Sequence, residues 1–115
     1  MNEFLIAIHR DITSKDASPS PAQMQAAIKP FQDWIGSIAA QNKLVTPPKR
    51  WDLDGRVIKN NTVLNGPYAE IKESIGGLVL IRANDYDEAV EIAKGCPIIE
   101  WGAVVEVRMA IQPPQ

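Results

Sequence analysis

The chain has 115 residues, of which 45% are hydrophobic and 23% are charged. This length suffices for one packed domain and is too short for two. The formal net charge is -2 and the sequence pI is near 5.3, with both signs mixed along the chain. A nucleic-acid or anionic-membrane surface would need an excess of basic side chains, so the composition argues against both partners.

From the sequence we expect neither export nor membrane insertion. Its only cysteine, Cys96, cannot form an intramolecular disulfide, and the start MNEFLIAIHRD lacks the basic region and cleavage site of a signal peptide. The longest apolar runs, such as LVLI at 78–81, are far shorter than the roughly 20 residues that a membrane-spanning helix requires. We therefore predict a cytoplasmic protein with a single domain over residues 1–110 and a polar, Pro-rich tail over residues 111–115.

The first two elements are predicted to be a buried strand and a long helix. FLIAIH at 4–9 is short and rich in Ile and Leu, which favours a strand buried on both faces. Residues 20–23 form an S-x-x-Q capping box with proline at the first helical position, and a helix to about Asn42 follows. Pro30 lies inside this helix, where we expect a kink and not a break. The face predicted to be buried carries Met24, Ile28, Phe31, Ile35 and Ile38.

A connector and a hairpin are predicted next. The Pro-Pro pair at 47–48 stops any helix and begins an extended segment. RVIK at 56–59 and TVL at 62–64 flank the dipeptide Asn-Asn at 60–61. Asparagine tolerates the positive φ angles of a tight turn, so these two runs are predicted to pair as a β-hairpin.

The last part of the chain is predicted to contain a strand, a short helix and a final strand. GLVLIRA at 77–83 is the first of these strands and AVVEVRM at 103–109 is the second. Between them, Asp85 and Glu88 form a helix cap, and Gly95 ends the helix. The order β, α, β-hairpin, β, α, β predicts an α+β sandwich, with two helices on one face of a mainly antiparallel sheet.

This architecture predicts a homodimer. The strands are apolar on both faces, since Leu78 and Leu80 alternate with Val79 and Ile81, yet two short helices can cover only one face. A second copy packed sheet to sheet would cover the other face. The alternative is a far face that is shielded by the 43–55 connector and the tail.

Five sequence pieces in a fixed order carry a family resemblance: GPYAE-x-KE, GG, DEA, A-x-x-CP and VEVR, between residues 66 and 108. From the first strand to Ala110 the chain resembles the YCII-related family, often called the DGPF family after its D-G-P-F turn. The resemblance implies a ferredoxin-like fold that dimerises sheet to sheet, as the dimeric α/β-barrel proteins do. The roles proposed for this family are enzymatic, and related dimeric barrels act on small ring-derived organic acids.

The sequence departs from the family pattern at two places. Asn65 and Tyr68 stand where the family has Asp and Phe, which puts in doubt any role that needs a carboxylate at this turn. Enzyme-like relatives also carry a histidine in the first helix, paired with an aspartate as a proposed catalytic dyad, and Phe31 lies at or near that place. The one histidine of this chain, His9, lies on the first predicted strand instead.

The stretch NGPYAEIKESIGG at 65–77 is a candidate wall of a binding site. Gly66 permits a tight backbone turn and Pro67 stiffens it, so Tyr68 and Glu70 would be presented at fixed positions to a ligand. A purely structural strand-to-helix connection is built from the same residue types. Both interpretations remain open.

His9 and the last strand give the sharper candidate. Glu106 and Arg108 share one face because side chains alternate along a strand, and His9 comes within reach of them if the first and last strands pair. A histidine beside a carboxylate and a guanidinium could act as a proton shuttle and anion anchor for a small acid, with Asp11 near enough in sequence to orient it. The alternative is a structural cross-pair at a sheet edge.

The remaining candidates have weaker patterns. Trp51 and Trp101 could line the mouth of a pocket or pack at the rim of a dimer. Cys96 is predicted to be a buried structural thiol. One His and one Cys do not supply a zinc site, so no metal is predicted. The glycines of IGG precede a strand, whereas a phosphate-binding loop follows a strand and begins a helix, so no cofactor is predicted.

Two functions follow from these observations. The first is binding of a small organic acid, without turnover, in a cleft of a dimeric α/β barrel, and the departures at Phe31 and Asn65 favour it. The second is a small lyase-like or isomerase-like enzyme that uses His9 as acid or base on a ring-derived organic acid, with Arg108 as anchor.

Overall fold

The computed structural model of the protein describes residues 1–11, 21–49, 51, 54–66 and 73–111, without the side chains at 10, 11, 24 and 73–75. No helix in these ranges is long and apolar enough to cross a membrane. In chain order the elements are β1 (Asn2–Asp11), α1 (Pro21–Ala40), β2 (Gly55–Lys59), β3 (Thr62–Gly66), β4 (Glu73–Ala83), α2 (Tyr86–Ala93), a 3₁₀ helix (Pro97–Trp101) and β5 (Val104–Met109).

β1 lies at the centre of a three-stranded antiparallel sheet with the order β4-β1-β5. Ile6, in the middle of β1, pairs with Val79 on one side and with Val107 on the other. Both helices pack on one face of this sheet. The predicted α+β architecture is confirmed, and it is that of a ferredoxin-like fold.

One face of the sheet forms the hydrophobic core. Because side chains alternate along a strand, every second residue of β1 and β4 points at the helices, and these residues are almost fully buried. Cys96 is buried in the same cluster, as predicted for a structural thiol. The core consists of Phe4, Ile6, Ile8, Trp34, Ile38, Val79, Ile81, Ala83, Ala89, Ala93 and Cys96.

Helix α1 is continuous through Pro30, as predicted, but its buried face differs from the prediction. Ile38 is buried and Phe31 packs against the core, whereas Ile28 is 49% exposed. Trp34, which the periodic pattern did not include, is buried and donates its indole N–H to the carbonyl oxygen of Ile92 at 2.9 Å. The prediction that Ile28 is buried is therefore wrong, because the buried part of α1 begins nearly two turns further along the helix at Trp34 and continues one turn later at Ile38.

Helix α2 begins as the sequence predicts. The Asp85 side chain accepts a hydrogen bond from the Glu88 N–H at 2.9 Å and so satisfies one of the free amides of the first turn. After the helix, the Gly95 N–H donates to the Ile92 carbonyl. The 3₁₀ helix that follows has Pro97 in its first turn and was not predicted from the sequence.

The segment after α1 runs along the outer edge of β4. The Val45 N–H donates to the Leu80 carbonyl at 3.0 Å, and the Arg82 N–H donates to the Lys43 carbonyl at 2.6 Å. These bonds cover part of a strand edge that would otherwise expose unpaired amides. Residues 43–45 therefore lie beside the sheet, in the plane of its hydrogen bonds.

An ion pair connects this segment to α2. Lys43 Nζ lies 2.9 Å from Glu88 Oε1, which is ion-pair distance. The contact with Lys43 is the main reason why the pKa of Glu88 is lowered from 4.5, and a hydrogen bond from Asn84 at 3.0 Å adds to the effect. The charged form of Glu88 thus stabilises the start of α2.

Strands β2 and β3 form a separate two-stranded sheet. Asn60 and Asn61 have φ angles of 49° and 62° at its turn, which confirms the predicted hairpin. Within the described part of the chain, neither strand pairs with β1, β4 or β5. We call residues 55–66 the hairpin arm.

Candidate functional site

The face of the three-stranded sheet that points away from the helices is the candidate site. Among the described residues, no helix packs on it, which confirms that the two helices cover only one face. Leu5, Leu78 and Leu80 are only partly buried there. The cross-strand register places the following residues on this open sheet face: Leu5, Ala7, His9, Leu78, Leu80, Val104, Glu106 and Arg108.

His9 lies near the end of β1 and pairs with Ile75 and Val104. The register between β1 and β4 shifts between Ile8 and His9, which is a β-bulge. A bulge locally increases the strand twist and can redirect a side chain, and bulges are frequent beside functional sites. The His9 side chain is 21% exposed, so it is accessible from the open sheet face.

Glu106 is the partner of His9. Its Oε1 lies 3.1 Å from His9 Nε2, although the two residues sit on different rungs of the ladder, with Glu106 opposite Ala7. An ionised carboxylate can only accept, so Nε2 donates, and Nδ1 of a neutral imidazole is then left as a proton acceptor. We call Glu106 and Arg108 on β5 the charged row. His9 lies beside its first member, as the pairing of β1 and β5 inferred from the sequence predicts.

Arg108 continues the same row. It lies opposite Leu5 and about 7 Å further along the strand than Glu106. Its side chain is exposed, and no described carboxylate is within ion-pair distance of it. A guanidinium with free donors beside an apolar surface is suited to bind a carboxylate in a bidentate manner.

Three predicted site residues cannot be placed relative to His9. Asp11 pairs with Glu73 through the backbone, but its side chain is outside the described set, so its proposed role in orienting His9 stays a prediction. Tyr68 and Glu70 lie outside the described residues, and of the predicted wall at 65–77, residues 65–66 end β3 and residues 73–77 begin β4.

The aromatic candidates have different surroundings. Trp101 ends the 3₁₀ helix and is about half-exposed, and Trp51 in the connector is similarly exposed. Phe31 packs edge-on against Trp34, with the ring centroids 5.6 Å apart, so it contributes to the core. Ala7 pairs with Glu106 and Val104 pairs with His9, so these two residues flank the His9–Glu106 contact on the face that alternation along the two strands predicts for them.

The order of elements and the position of the charged row define a small α+β protein of the ferredoxin-like class with one open sheet face. The chain matches the YCII-related domain over residues 7–110 and belongs to this family. A comparison with curated proteins gives no match for the chain.

Proposed function

We propose that the protein binds a small organic acid on the open sheet face, in a cleft that is completed by a second copy of the chain. The observation that carries the proposal is the 3.1 Å contact between His9 Nε2 and Glu106 Oε1, in one row with Arg108. Arg108 anchors the acid group of the ligand. The His9 ring exchanges a proton, or forms a hydrogen bond, with another polar group of the ligand.

The apolar floor of this site favours coverage by a second copy. Leu5, Leu78 and Leu80 form adjacent positions on β1 and β4, and each keeps part of its surface in contact with solvent. Removing apolar surface from water stabilises an assembly by about 25 cal/mol per Å². Two open faces packed against each other would therefore form a homodimer, and the charged row at the β5 edge would line the seam.

Coverage also strengthens the polar interactions of the site. Glu106 is 48% exposed in the single chain, so water screens its contact with His9. A partner over the sheet would exclude much of this water, and charge interactions become stronger as the local dielectric falls. The acid-binding row and the dimer are thus parts of one proposal.

A small lyase-like or isomerase-like enzyme is the second candidate. A carboxylate that holds one ring nitrogen of a histidine leaves the other nitrogen available for proton transfer, which is the arrangement of a general acid or base. In this candidate function Glu106 orients His9 from β5, and Asp11 stays the predicted orienting group on β1. The substrate class would be the ring-derived organic acids suggested by the family resemblance.

A titration with a panel of small carboxylic acids, followed by NMR, tests the binding function. Arg108→Ala is expected to weaken binding about tenfold or more, since it removes a charge-assisted bidentate contact. Lys29→Ala is the matched control: it removes the same charge from α1, on the helix side, where Lys29 only pairs with exposed Asp33 at 3.7 Å. Equal affinities for the wild type and both variants, or no binding of any acid, would contradict the proposal.

The same samples separate the two functions. Turnover of a bound acid that disappears in His9→Ala while the acid still binds would establish the enzyme. Binding without turnover in the wild type would establish the binding module.

A further inference from the structure

The open sheet face carries a second arginine, Arg82, on β4. Because side chains alternate along a strand, Arg82 lies on the same face as Leu80, while its neighbours Ile81 and Ala83 are buried in the core. Arg82 is exposed, and no carboxylate among the described side chains lies within ion-pair distance of its guanidinium. Arg82 and Arg108 are therefore two cationic groups on one face whose donors no described side chain occupies.

The register of the three strands gives the distance between the two arginines. Arg108 lies opposite Leu5 on β1, and Leu5 lies opposite Leu80 on β4. Arg82 follows Leu80 on the same face, so its Cα lies two strand spacings across the sheet and one two-residue step along it from the Cα of Arg108. With standard sheet spacings the two Cα atoms are about 12 Å apart. Arginine side chains at this spacing are close enough to contact opposite ends of one small molecule.

The surface between the two arginines is apolar. Leu5 and Leu80 lie side by side there, and each is partly exposed. A ligand that contacts both arginines lies across these leucines, so an apolar middle part of the ligand is favoured by the area that it buries. A compact dianion such as inorganic phosphate has no such middle part. A molecule with two carboxylates joined by a short hydrocarbon segment matches the pattern.

Glu3 is the acidic side chain that competes for Arg82. It lies opposite Arg82 on the same face, and opposite charges on paired residues attract each other. The two side chains are nevertheless not within ion-pair distance, and both residues are exposed. Water and salt screen such an exposed pair, so a carboxylate that is already held at Arg108 by its other end can displace Glu3.

We propose that the acid bound on the open sheet face is a dicarboxylate, with one carboxylate on Arg108 and the other on Arg82. The inference rests on the proposed function, because Arg108 is the anchor in both, and it adds a second anchor and a ligand class. Once the first carboxylate is bound, the second meets Arg82 within the same complex. The affinity of the diacid therefore exceeds that of a monoacid without any change in the protein.

An NMR titration with paired ligands tests the inference. Succinate, glutarate and adipate are compared with butyrate, valerate and hexanoate, the monoacids of the same chain lengths. The best diacid is expected to bind the wild type at least about tenfold more tightly than its matching monoacid, as one more charge-assisted contact to a guanidinium provides. Inorganic phosphate is expected to bind no better than the monoacids.

Arg82→Gln separates the dicarboxylate inference from the proposed function. This variant is expected to lose the preference for the diacid and to keep the monoacid affinity of the wild type, whereas Arg108→Ala weakens the binding of both ligands. Arg56→Gln is the matched control. It removes the same charge from exposed Arg56 on β2, which pairs with Asp54 at 3.0 Å, and it is expected to keep the diacid preference.

The possible failures differ for the two proposals. A diacid preference that survives Arg82→Gln, an equal loss in Arg56→Gln, or phosphate that binds more tightly than every diacid would overturn the dicarboxylate inference. So would a wild type without any diacid preference, and in that case monoacid binding that depends on Arg108 would leave the proposed function standing. A wild type that binds none of these acids would contradict both.

Discussion

His9 Nε2 on β1 lies 3.1 Å from Glu106 Oε1 on β5, although the two residues are 97 positions apart in the sequence. The contact joins the chain's one histidine to a carboxylate on the face of the three-stranded sheet that no described helix covers. The contact is part of the candidate site and lies on the sheet face that we propose as the dimer interface.

The first prediction concerns this contact. In Glu106→Gln the charged acceptor is lost, so the ¹⁵N chemical shift of His9 Nε2 is expected to change, and the tautomer balance of the ring is expected to change with it. Two-bond ¹H–¹⁵N correlation spectra of the imidazole measure both. Glu100→Gln, which changes an exposed glutamate on the 3₁₀ helix, serves as control. Identical His9 spectra in all three proteins would show that the contact does not form in solution.

The second prediction concerns the packing of Trp34 on the turn after α2. A Cβ added at Gly95 would lie 2.8 Å from both Cδ1 and Nε1 of Trp34, so the indole must move and its hydrogen bond to Ile92 is strained. Gly95→Ala is expected to destabilise the fold by about 1–3 kcal/mol, as overpacking of a core does.

Gly36→Ala provides the opposite control in the same experiment. Gly36 is an exposed residue within α1, away from both helix ends, and an added Cβ there meets nothing within 4 Å. This variant is expected to stabilise the protein by about 0.5–1 kcal/mol, because alanine loses less backbone entropy in a helix. Urea denaturation of both variants measures the free energy of unfolding. A Gly95→Ala protein that is as stable as the wild type would contradict the close packing of Trp34 on Gly95.

The third prediction is a pH dependence of stability. The Lys43 contact lowers the pKa of Glu88 in the folded protein. The charged form of Glu88 therefore stabilises the folded state relative to the unfolded chain. This contribution is present above the ordinary carboxyl pKa of 4.5 and is lost as the pH falls through the lowered value.

Glu88→Gln should therefore be less stable than the wild type at neutral pH, and the difference should shrink in acid. Glu91→Gln is the control, since Glu91 pairs with Lys94 at 2.9 Å while both side chains are mostly exposed. Denaturation midpoints across the acidic range give the answer. A Glu88→Gln deficit that stays constant with pH would speak against the ion pair as its cause.

The sequence predicted the elements that depend on local chemistry. Asn60 and Asn61 adopt the positive φ angles expected of a tight turn, and Asp85 caps α2, because both roles are decided by a few neighbouring atoms. Alternation along β5 also placed Glu106 and Arg108 on one face. Proximity of His9 to this row followed once β1 and β5 were assumed to pair.

Features that depend on tertiary packing could not be predicted from the pattern. Ile28 fits the apolar period of α1 as well as Ile38 does, yet Ile38 is buried in the core cluster together with Trp34, and Ile28 is exposed. The bulge beside His9 and the separation of the hairpin arm from the main sheet likewise depend on contacts that are distant in sequence.

The mass of the protein in solution is the most direct test of the account. If a second copy covers the open sheet face, as we propose, light scattering at micromolar concentration gives twice the chain mass of 12.7 kDa. Leu80→Arg, which places a charge on that face beside Leu5, is predicted to shift the protein toward the single-chain mass. A wild-type protein that stays at 12.7 kDa would contradict the claim that this face is the seam of a dimer.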